Sequence, residues 1–137
     1  MSHVWISITD PEKELANIEE NFDCKDILRL EFHDISTKEI ATIGEYNLPR
    51  MTTKHDQYDT WVPMRQSHAK EIIEFVLKYK DQVELICIHC FAGKCRSAAV
   101  GAVLAKWLEC ELEATQEQIP NRHVMNLMTE EINALRV

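Results

Sequence analysis

Val83-Glu84-Leu85-Ile86-Cys87-Ile88-His89-Cys90-Phe91-Ala92-Gly93-Lys94-Cys95-Arg96-Ser97-Ala98-Ala99-Val100-Gly101-Ala102-Val103-Leu104-Ala105 is a short apolar run, a polar turn and a second, longer apolar run. Val83 to Ile88 is the right length for a buried strand. Residues 89 to 96 form a turn containing Gly93. From Ser97 to Leu108 the chain is apolar nearly all round at helical length, which predicts a central, buried helix. A buried strand that turns directly into a buried helix is the repeating unit of an α/β domain.

The flanking sequence extends this unit in both directions. Val4 to Ile8 alternates and predicts a strand, and Asp10-Pro11 predicts a helix start running to about Asn21. Ile27-Leu28-Arg29-Leu30-Glu31-Phe32 predicts a second strand ending at His33-Asp34. Residues 36–63 show no period and carry Gly44, Pro49 and Pro63; a loop of that length is usually functional or disordered. Ser67 is placed to cap a helix with Ile72, Ile73, Val76 and Leu77 on one face. After Pro120-Asn121 a last helix is expected to run to Leu135, burying Val124, Leu127, Met128 and Ile132. Strands alternating with helices predict one α/β domain over 1–137, with a central, largely parallel sheet flanked by helices.

The chain has 137 residues, 45% hydrophobic and 28% charged, enough to bury a core without disulfides or metal. No run is long enough for a membrane span and no signal pattern opens the chain. With five cysteines in no framework spacing, the expectation is a cytoplasmic protein. The net charge of −8 argues against nucleic acid or anionic membrane as partner. An anionic ligand would have to be held by a local positive site.

The turn 89–96 has the chemistry for one. Its backbone N–H groups, from Phe91 through Ala92, Gly93, Lys94 and Cys95 to Arg96, can curl into an anion nest, and the free amides and dipole of the next helix point the same way. Gly93 allows a backbone angle that a larger residue resists. Arg96 offers a planar fork for two phosphate oxygens. A Cys90 thiol in that field is expected to ionise below its free value of roughly 8.5 and act as a nucleophile. Ser97 can donate a hydrogen bond to the sulfur when thiolate leaves. His89 is expected to orient the turn.

The pattern His-Cys, five residues, Arg-Ser resembles the signature of the cysteine-based protein tyrosine and dual-specificity phosphatases. Leu28 to Ile35 and Pro120-Asn121-Arg122-His123 are similar to segments of a compact bacterial and phage branch of that family. The resemblance implies a hydrolase acting on phosphotyrosine, and on phosphoserine and phosphothreonine in the dual-specificity case. Cys90 is then the nucleophile, Arg96 the clamp, and residues 91–96 the cradle, with no cofactor or metal. Two departures stand out: the chain is short between Leu108 and Pro120, and 36–63 is long, which leaves the build of the acid loop open. The pocket wall is expected from 36–63.

A leaving oxygen needs a proton, and the donor can then activate water. Asp34, fixed at a strand end, carries this role by resemblance. Asp59, 31 residues before Cys90 and close to Trp61 and Pro63, is the alternative. Cys95 stands where the low-molecular-weight tyrosine phosphatases carry a cysteine that can trap the nucleophile in a disulfide, so it is a candidate redox partner; the plain alternative is a small residue in the wall. Lys94 resembles the loop lysine of tensin-like phosphoinositide phosphatases, although Phe91 stands where they place another lysine; a rim position is the plainer reading. Phosphoinositide or RNA 5′-phosphate hydrolysis, or phosphate binding without turnover, are the competing functions. Cys87-Ile88-His89-Cys90 is a C-x-x-C, but it lies in a strand rather than at a helix start, and no fourth zinc ligand follows. Cys87, Cys24 and Cys110 are expected in the core.

Overall fold

The computed structural model describes residues 1–11, 13–38, 62–91, 95–114 and 118–135. Three strands, β1 (His3–Thr9), β2 (Cys24–Glu31) and β3 (Leu85–His89), form a parallel sheet in the order β2-β1-β3. Three helices are described with them: α1 (Gln66–Tyr79), α2 (Arg96–Leu108) and α3 (Arg122–Ala134). The domain is therefore α/β with a parallel sheet, as the alternation of runs predicts.

Alternation along β1 sends Val4, Ile6 and Ile8 to one face, where each is fully buried. All three helices close over that face. Ala69, Ile72, Ile73, Phe75 and Val76 of α1, Ala99, Val100, Val103 and Leu104 of α2, and Val124, Met128 and Ile132 of α3 share one core cluster with it. Within α1, Phe75 is buried and Leu77 exposed, so the buried stripe is rotated from the one expected. Leu127 is only partly buried.

The opposite face carries His3, Trp5, Ser7 and Thr9. In register, Ser7 lies between Arg29 of β2 and His89 of β3, a polar row across the sheet. The connection from β1 to β2 runs over this face, and the helix expected from Asp10 to Asn21 does not form in its described residues. Its apolar residues find no core to bury into, with Leu15 half exposed and Phe22 almost fully so. A short helix without a packed face is marginal in water. Arg29 Nη1 also takes the Ala16 carbonyl at 3.0 Å, an oxygen that a helix would need for its own ladder.

Other boundaries move less. β2 begins at Cys24 rather than Ile27, and β3 covers Leu85–His89 rather than Val83–Ile88. Helix α1 is not capped by Ser67: Arg65 is the N-cap, and its backbone N–H donates to His68 Nδ1 at 2.9 Å, a reciprocal cap made by a ring. Asn121 caps α3 by accepting from the Val124 N–H at 3.1 Å. Cys110 is exposed, and Cys24 and Cys87 are only partly buried, so none of the three is a core residue. No described helix is long and apolar enough to cross a membrane.

Candidate active site

Parallel strands carry ligands at their carboxyl ends, where neighbouring connections leave toward opposite faces. Here that place lies between β1 and β3. The chain leaving β1 crosses the polar face, whereas the chain leaving β3 enters α2 on the helical face. A cleft of about 320 Å³ opens there, lined by Ile8, Thr9 and Asp10 after β1, Lys13, Glu14 and Ala16 of the connection, and His89, Cys90 and Phe91 after β3. The described part of its wall comes from the β1–β2 connection, and most of the 36–63 region expected to supply it lies outside the described residues. Residues 39–61, Asp59 among them, lie outside the described residues, as do Ala92, Gly93 and Lys94.

Cys90 is 8% exposed at the end of β3, and its Sγ lies 3.3 Å from Ser97 Oγ in the first turn of α2. That distance suits a hydrogen bond to sulfur. Phe91, 93% exposed, stands at the rim. Arg96, 5% exposed, is held in place by its Nη1, which donates to Asp10 Oδ1 at 2.7 Å and to the Phe32 carbonyl at 2.7 Å. Its Nε is buried without a partner among the described residues. A guanidinium has five N–H donors, and the two on Nη1 are taken. Nη1 is thus committed, and Nε is the donor with no described partner.

Asp34 is exposed at the end of the β2 segment, and its Oδ1 accepts from Asn121 Nδ2 at 2.6 Å. Asn121 also donates its Nδ2 to the Ile35 carbonyl at 3.0 Å and its backbone N–H to the Cys95 carbonyl at 3.0 Å. One buried amide therefore joins the acid candidate, the end of the turn and the cap of α3. Cys95 lies against Asp34. Burial pushes its thiol above the ordinary value, and the Asp34 carboxylate and Cys90 add to this while Arg96 opposes it. His89 packs edge-on to Trp5, with centroids 5.8 Å apart, and its Nε2 is buried without a partner among the described residues. Burial, with Arg29 adding to it, pushes its imidazole below the ordinary range, against a backbone hydrogen bond at Cys90.

The structure thus brings together Cys90, Phe91, Cys95, Arg96, Ser97, His89 and Asp34. It adds two residues absent from the sequence reading of the site, Asp10 as partner of Arg96 and Asn121 as holder of Asp34. Asp10-Pro11 was legible only as a helix start, and Asn121 only within the similar segment opening α3. Comparison with family models, with curated proteins and with solved structures gave no match. The chemistry of the site is read from its own residues.

Proposed function

We propose that the protein hydrolyses phosphate monoesters through a phosphocysteine intermediate on Cys90, with protein phosphotyrosine as the principal substrate class. The observation that carries this reading is a single arrangement. The thiol of Cys90 is within hydrogen-bond reach of Ser97, at the start of a helix whose first residue is an arginine with its Nε unpartnered among the described residues. Buried thiols that serve only packing need neither partner.

In the proposed reaction the Cys90 thiolate attacks phosphorus and the ester P–O bond breaks. Asp34 gives its proton to the leaving oxygen. Water, deprotonated by the same carboxylate, then attacks the phosphocysteine; the P–S bond breaks, inorganic phosphate leaves and thiolate is restored. Arg96 binds two equatorial oxygens through its free side, and the α2 N-terminus adds its dipole. Ser97 stabilises the departing thiolate. Cys90 and Arg96 are both buried, and a thiol set below the surface favours a long, flat phosphotyrosine over a short phosphoserine.

The test is turnover of a small aryl phosphate by wild type and by Cys90→Ser, followed by panels of phosphopeptides, phosphoinositides and RNA 5′-phosphates. Cys90→Ser should lose turnover yet retain phosphate binding. Activity within about tenfold of wild type, a barrier change of only ~1.4 kcal/mol, would sink the covalent route.

A further inference from the structure

Arg96 is tied to the ends of both other strands through one nitrogen. Asp10 follows β1, Phe32 follows β2, and Arg96 opens the helix after β3. The Asp10 carboxylate and the Phe32 carbonyl, each at 2.7 Å, use both hydrogens of Nη1. The ion pair is mostly shielded, with side-chain exposures of 6% for Arg96 and 27% for Asp10. The remaining parallel pair of donors, on Nε and the neighbouring side of Nη2, is the one that can span two oxygens of a phosphate.

We propose that Asp10 is a positioning residue that fixes the rotation of the Arg96 guanidinium, so that its free side alone meets the phosphoryl oxygens. This rests on the function proposed above. The carboxylate touches no reacting atom; it acts through Arg96. Its charge by itself would work against an anionic substrate. Removing it should therefore tighten phosphate binding if charge were all that mattered, and weaken it if orientation matters. The two accounts predict opposite signs.

The experiment compares wild type, Asp10→Ala, Asp10→Asn, Arg96→Ala and the Asp10→Ala/Arg96→Ala double variant. Readouts are kcat and KM for an aryl phosphate, calorimetric binding of inorganic phosphate, and thermal melts. Asp10→Ala should lower kcat by up to about 100-fold, the low end of the roughly 100- to 1,000-fold cost of losing a donor outright because Arg96 itself remains, and should weaken phosphate binding. Asp10→Asn keeps an acceptor for Nη1 and should recover part of the loss; it also serves should Asp10→Ala not fold. In the Arg96→Ala background, Asp10→Ala should cost less than about twofold, because a residue acting only through Arg96 has nothing left to position. Phosphate binding that stays equal or tightens in both single variants, or costs that add in the double variant, would overturn the proposal. If wild type binds phosphate but shows no Cys90-dependent turnover, the proposed function falls, and the binding measurements alone decide the role of Asp10. If wild type neither turns over nor binds phosphate, both fall.

Discussion

At the scale of single residues, Asp34 offers the sharpest test of the mechanism. A general acid matters most when the leaving group is poor. Asp34→Asn should therefore depress hydrolysis of alkyl-like esters far more than of activated aryl phosphates, and should remove the alkaline limb of the kcat/KM profile. Asp59→Asn should leave both unchanged. The reverse pattern would make the region around Asp59 the acid loop, and neither pattern would place the acid elsewhere. Cys90, Arg96 and Ser97 were legible because they stand within eight residues of one another and their chemistry is local. Asp10 and Asn121 were not, because their partners are 86 and 87 residues away in sequence. Nothing in the identity of an aspartate beside a proline, or of an asparagine before a helix, says which distant side chain it will hold.

At the scale of elements, the ends of α1 and α2 carry testable energetics. Burial, with the Arg65 guanidinium adding to it, pushes His68 below its ordinary value of 6.5. In that interval the unfolded chain binds the proton and the folded chain does not, so stability rises with pH. The stability linked to His68 is full above about pH 6.5 and is lost as pH falls through the lower folded value. His89 works in the same direction. Melts from about pH 8 to about pH 5 should show Tm falling on the acid side. His68→Gln keeps an acceptor at the cap but does not titrate, so it should flatten part of that slope; an unchanged slope would show that His68 does not carry it. Helix α2 ends on Glu109 with φ 53° and ψ 49°, a left-handed conformation that disfavours any residue with a Cβ. Glu109→Gly should raise stability by about 1 kcal/mol, seen as a higher urea midpoint with unchanged slope. A Cβ at Gly101 would meet Leu112 Cδ1 at 3.1 Å, but Leu112 is half exposed and can yield. Gly101→Ala should then gain up to about 1 kcal/mol from helix propensity, measured the same way. The six described elements were legible because each has its own period or apolar run. The β1–β2 connection was misread for a physical reason: Asp10-Pro11 is a sound helix start, yet a start signal cannot tell whether a face of the core is waiting for the helix.

At the scale of the whole molecule, the parallel sheet was legible from alternation alone, but the part that the β1–β2 connection takes in lining the cleft was not. That depends on which connection crosses the polar face, and only the three-dimensional order β2-β1-β3 decides it. The same order has a kinetic consequence. Joining Asp10 to Arg96 closes 86 residues of chain, at an entropic cost on the order of 4 kcal/mol before any contact is made. Such distant pairings are made slowly and cannot persist in a fragment that lacks one end. Turnover should thus disappear in urea together with the circular-dichroism signal of the backbone, in one transition; activity lost well before the backbone signal would show a site that melts by itself. On refolding, the first hydrolysed ester would mark the moment when the strand near the amino terminus and the turn after β3 have found each other. Catalysis would then serve as a clock for the completion of folding.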